Sequence, residues 1–109
     1  MFGRALIALM LAGCSSIDYT RRVEGWPVLA AKIDYVSEDE MQTRCGKYSM
    51  WLEQALACAE FYLDKGVCQV WLTESTRWAK EHELAHCDGY DHVGGESMRT
   101  MLQQWKETK

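Results

Sequence analysis

Residues 82–92 read HELAHCDGYDH, and all three histidines of the 109-residue chain fall inside them. His82 and His86 are four apart, and Glu83 directly follows the first. On a helix, residues i and i+4 lie on one face a turn apart. Two imidazoles so placed can hold one zinc ion, with the adjacent carboxylate within reach of a water on that ion. His92 cannot join them on a straight helix, because ten residues at about 1.5 Å each would carry it roughly 15 Å along the axis. Zinc–nitrogen bonds are only about 2.0–2.1 Å long. The chain must therefore leave the helix and double back, and Gly89 stands where that departure is needed. Glycine takes the left-handed conformation that ends helices without a Cβ penalty.

The stretch matches HExxHxxGxxH at every fixed position: His82, Glu83, His86, Gly89 and His92. That pattern resembles the extended zinc signature of the metzincin metallopeptidases, over about a tenth of the chain. The resemblance implies a zincin-like α+β domain that binds one Zn2+ through His82, His86 and His92. Glu83 is then the general base of peptide-bond hydrolysis, and a peptide or protein is the substrate. It also implies an antiparallel edge strand before the zinc helix, for which Val67 to Leu72 is the candidate. A methionine beneath the metal is implied too, with Met98 and Met101 as candidates. The residue after the third histidine is Val93, and no tyrosine follows either methionine, which departs from several metzincin families. Asp88 and Asp91 flank the ligands and are expected to be solvated loop carboxylates. The alternative function is a zinc-binding or structural lipoprotein of the cell envelope without catalysis.

The N-terminus reads as an export signal. Met1 to Gly13 carries one charged residue, Arg4, and then the apolar run Ala5 to Ala12. Such a run is too short to span a bilayer, which takes about 20 residues, and fits the apolar region of a secretory leader. It ends in Leu11-Ala12-Gly13-Cys14, which resembles the lipobox of bacterial lipoproteins. That resemblance implies cleavage of residues 1–13, lipid on Cys14 and attachment to a membrane. Ser15 and Ser16 follow, with no Asp after the cysteine, which fits the periplasmic face of the outer membrane. Residues 14–27 then read as a lipidated tether ending in Trp26-Pro27, and residues 28–109 as the metallopeptidase-like domain.

Charge excludes one class of partner. The formal net charge is −4, and −5 once Arg4 leaves with the leader. An acidic chain has no electrostatic footprint for nucleic acid. A domain of about 80 residues buries little apolar surface and needs staples. With Cys14 lipidated, Cys45, Cys58, Cys68 and Cys87 remain, and in an exported chain they suggest two disulfides among three possible connectivities. Cys87 lies about 140° around the helix from His82 and so faces the domain body rather than the metal. The pairing Cys45–Cys58 and Cys68–Cys87 is favoured.

The remaining elements follow from pattern. Val28 to Val36 reads as a strand, and Ser37 to Glu40 as a turn or helix start. Tyr48 to Ala57 reads as a helix ending near Cys58, with Trp51 packed. Phe61 to Leu72 reads as a hairpin turning at Asp64-Lys65-Gly66. Thr73 or Ser75 caps a helix over residues 76–88, on which Trp78 is expected to pack. Glu96 to Lys106 forms an amphipathic helix through Met98, Met101, Leu102 and Trp105.

Overall fold

A computed structural model describes residues 8–10, 16–48 and 55–109. The elements are β1 (Ala8–Met10), β2 (Ile17–Arg22), β3 (Ala30–Tyr35), α1 (Glu38–Cys45), β4 (Cys58–Tyr62), β5 (Val67–Leu72), α2 (Lys80–Cys87), β6 (Tyr90–His92) and α3 (Ser97–Glu107). Short 3-10 segments follow α1 and precede α2. The architecture is α+β, as expected.

The main sheet has the order β1-β4-β5-β3. β4 and β5 form the expected hairpin, with Glu60 opposite Gln69 and Phe61 opposite Cys68. β3 pairs parallel to β5, from Ala30 opposite Val67 to Tyr35 opposite Leu72. β5 is therefore an interior strand with both edges bonded, so the expectation that Val67 to Leu72 is the sheet edge is wrong. The antiparallel strand on that side is β4, and its outer edge carries β1, with Leu9 opposite Ala59.

Side-chain alternation gives the sheet two covered faces. Ala57, Ala59, Phe61 and Leu63 of the β4 segment share a core with Cys68, Val70 and Leu72 of β5. Cys87 of α2 and Met98, Met101 and Leu102 of α3 close that core. The odd residues out, Cys58 and Trp71, meet Met41 and Cys45 of α1 on the other face. Ser37 caps α1 by accepting from the Glu40 amide, which satisfies one orphan donor of the first turn.

Each face has its own covalent pin. Cys45–Cys58 ties α1 to β4, and Cys68–Cys87 ties α2 to β5, so the favoured connectivity is the one formed.

Three expectations change. Residues 16–27, read as a tether, contain β2 and the buried Trp26, because β2 finds a partner strand in β6. The helix expected over residues 76–88 starts as an α-helix only at Lys80; residues 74–79 form a 3-10 segment kinked at Thr76. The helix expected over residues 48–57 falls largely outside the described residues, Trp51 with it, and residues 55–57 are not helical. Among the described residues, no helix is long and apolar enough to cross a membrane.

Replacing Cys68 and Cys87 together by alanine should lower the unfolding free energy by about 3 kcal/mol, because a loop of this size loses its closure constraint. Urea denaturation of the double variant beside the parent measures it.

Candidate metal centre

The first two histidines are placed by a short, well-anchored helix. Thr73 and Thr76 form a reciprocal capping pair that starts the 3-10 segment, and α2 continues from it. His82 and His86 are one turn apart on α2, and Glu83 is between them in sequence. α2 ends at Cys87, and its last carbonyls find partners outside the helix. Trp26 Nε1 donates to the Cys87 carbonyl at 3.0 Å, and Arg22 Nε donates to the Asp88 carbonyl at 2.6 Å. These bonds satisfy groups that a helix end leaves without an internal partner.

The reversal comes at Gly89, where φ is +101°. A Cβ there would stand 2.8 Å from Trp26 Cγ, so the position needs glycine for both its backbone angle and its space. β6 follows at once and pairs antiparallel with β2, with Ile17 opposite His92 and Arg22 opposite Tyr90. Two backbone bonds close the ends of this ribbon: Val23 N to Gly89 O and Val93 N to Ser16 O, both 2.8 Å. A second turn follows His92, with the Gly95 amide donating to the His92 carbonyl. The third ligand is thus clamped between two turns by a strand from the N-terminal segment.

The three rings converge. His82 Nε2 lies 3.2 Å from Nε2 of His86 and 3.2 Å from Nε2 of His92. Hydrogen bonding cannot account for both contacts. His86 Nδ1 donates to the Tyr90 carbonyl at 2.7 Å, and a neutral imidazole has one N–H, so His86 Nε2 is a lone pair. Each ring nitrogen offers one in-plane direction, so His82 Nε2 can donate or accept but not both. Only one of its two short contacts can be a hydrogen bond. A cation at the centre satisfies all three nitrogens. Tetrahedral coordination at about 2.0–2.1 Å puts ligand nitrogens about 3.3 Å apart, close to the two 3.2 Å spacings here, and the three donor atoms all lie within 4.8 Å of one another. The Tyr90 carbonyl also fixes the His86 tautomer and ring orientation, the usual outer partner of a metal-binding imidazole. These three residues could therefore hold a metal ion.

Electrostatics keep the donors unprotonated. Burial lowers His82 to about 4 and His86 to about 3, and the ring of His92 adds to both shifts. Burial also lowers His92, against the pull of Asp91. Glu83 is fully buried, and among the described residues neither of its carboxylate oxygens has a hydrogen-bond partner. Burial alone pushes its carboxyl up to about 8.

Other named residues sort differently. Asp91 is buried, contrary to the expectation of a solvated carboxylate. Its oxygens accept from the His92 amide at 2.7 Å and from the Met98 amide at 3.1 Å, tying the third ligand to the start of α3. Asp88 has the exposed side chain expected of it. Met98 and Met101 are fully buried in the core with Cys87 and Trp26. Trp78, expected to pack, is 64% exposed. Arg22 and Trp26 were missed because the stretch holding them was read as a linker. The alternating Ile17 and Tyr19 before a buried tryptophan were the available signal.

Comparison with family models, curated proteins and solved structures found no match for this chain.

Gly89→Ala should disrupt the centre. The substitution meets both an unfavourable backbone angle, costing about 1–2 kcal/mol, and the Trp26 ring. Isothermal titration with Zn2+ should show binding weakened at least tenfold relative to the parent.

The metal-free chain should be most stable at about pH 6.5 to 7. The histidines have folded values below the ordinary range, so the unfolded chain binds more protons between about pH 4 and 6.5, and stability is lost as pH falls through that window. Glu83 runs the other way: its folded form keeps a proton up to about 8, so stability is lost as pH rises from about 4.5 to 8. Melting curves in chelator at about pH 5, 6.5 and 8.5 should show the middle value highest.

Proposed function

We propose that the protein is a zinc-dependent hydrolase, a metzincin-like metallopeptidase anchored through lipid on Cys14 at the periplasmic face of the outer membrane. The observation that carries this reading is the convergence of three histidine rings, beside a carboxylate next in sequence to the first of them that is buried and, among the described residues, has no hydrogen-bond partner. Zinc suits an all-imidazole donor set that leaves a coordination position open. When bound, the metal supplies an acidified water and a Lewis acid for a carbonyl oxygen. The chain's own residues do the rest.

His82, His86 and His92 would hold the ion, and the Tyr90 carbonyl orients His86. Glu83 takes the proton of the attacking water and passes it to the leaving amine, general acid–base work that needs a carboxyl poised near neutrality. Substrate would add as an antiparallel strand to the outer edge of β4. Residues 8–10 lie along that edge, and they belong to the leader whose removal frees it. Met98 and Met101 belong to the core that supports α2, and they remain the two candidates for the methionine that the metzincin resemblance implies.

One observation favours a second reading. Glu83 has no exposed surface, so a zinc-binding lipoprotein of the envelope without catalysis also accommodates the site. Glu83→Ala separates the two. It should retain one zinc per chain by elemental analysis and lose about 10²–10⁴-fold in hydrolysis of a peptide library. A parent protein that holds zinc and cleaves nothing in that library supports the non-catalytic reading.

A further inference from the structure

The metal centre has almost no free chain between itself and the residue expected to carry lipid. Ser16 is bonded through its carbonyl to the Val93 amide, next to the third ligand, and Ile17 stands opposite His92 in the β2–β6 ribbon. Cys14 is two residues before Ser16. Two residues of fully extended chain reach about 7 Å, and three reach about 10 Å. Paired residues across an antiparallel ladder are about 4.5–5.5 Å apart. The Cα of His92 therefore lies within about 16 Å of the Cα of Cys14, whatever path residues 14 and 15 take.

A flexible tether of a dozen residues would add about 20 Å of root-mean-square reach to that height. The structure replaces the tether with a strand. We propose that the centre works at the bilayer surface and that its substrates are polypeptides cut in their membrane-proximal segments. This rests on lipid at Cys14 and on the metallopeptidase reading above. The surface beside the attachment point suits the position. Tyr19 on β2 and Val93 after β6 are both large apolar side chains about two-thirds exposed, 64% and 67%. Tyr19 lies against the ring of Tyr90 in the partner strand. Tyrosine is a residue that settles at the lipid–water boundary. A cavity of about 230 Å³ opens beside the same ribbon, with charges of both signs in its walls, among them Arg21, Arg99, Asp18 and Glu96, and with His92 at its edge.

The geometry sets what can be reached. An anchored substrate whose scissile bond is held far above the bilayer lies beyond a centre tied down at this height. A bond a few residues from the lipid surface is within reach.

The test uses the full chain, exported with its leader and reconstituted into vesicles. A matched variant carries a 20-residue proline-rich spacer between Ser15 and Ser16, which adds about 60 Å. In the first arm, Co2+ is loaded at the histidines and its quenching of a headgroup fluorophore is measured. Strong quenching is expected in the parent and at least a fivefold loss in the spacer variant. Equal quenching in both overturns the placement, as does a mass spectrum without acyl chains on Cys14. Absence of Co2+ absorption overturns the metal centre and the placement together.

In the second arm, a peptide that the soluble library shows to be cleaved is anchored to vesicles directly or through the same rigid spacer. The parent should cut the directly anchored peptide at least tenfold faster, and the spacer variant should reverse that preference. Equal rates on both substrates overturn the membrane-proximal substrate class. If the parent cleaves no soluble peptide, the peptidase reading fails by itself, and the quenching arm still decides where the centre sits.

Discussion

A histidine ten residues beyond another can meet it only if the chain reverses within a few residues, and that reversal organises the domain around it. The reversal is made at Gly89, but glycine alone does not hold it. Trp26 fills the space that a Cβ would occupy and bonds the Cys87 carbonyl, while Arg22 bonds the Asp88 carbonyl. β2 then carries the third ligand as a strand partner, and Asp91 locks that strand to α3. Three neutral imidazoles held this close cannot pair all of their facing nitrogens by hydrogen bonds among themselves. Packing on every side is what keeps them together.

The packing comes from a small core divided by a sheet. α1 lies on one face and α2 with α3 on the other, and one disulfide pins each side. A domain this size buries too little surface to fix a helix rigidly by apolar contact alone. Cys87 belongs both to the helix that presents His82 and His86 and to the core that receives Phe61, Val70 and Met98. The bridge at Cys68 therefore ties the position of β5 to the helix that carries His82 and His86.

Much of this was legible in the residues because it is local. The ligand set follows from helical spacing plus one glycine, and the hairpin from Asp64-Lys65-Gly66 between two apolar runs. The amphipathic period of α3 buried Met98, Met101 and Leu102 as read. What failed was long-range. The parallel pairing of β3 with β5 joins residues 37 apart and leaves no mark in either segment. β2 looked like a linker because Asp18, Thr20, Arg21 and Arg22 outweigh the short alternation of Ile17 and Tyr19, and its partner lies some 70 residues later. Asp91 looked solvated because its two partners are backbone amides, which the sequence does not display.

The order of the cysteines carries a consequence for how the chain is made. Cys45 bonds the next cysteine after it, and Cys68 bonds the next after that pair. If the chain enters an oxidising space N-terminus first with Cys14 acylated, as proposed above, Cys58 arrives while Cys45 is the free thiol waiting, and Cys87 while Cys68 is. Joining each newcomer to the thiol already there yields the native bridges. The covalent frame of the domain can thus be completed during emergence, with no wrong pairing to be reshuffled by the slow thiol exchange that tangled connectivities require.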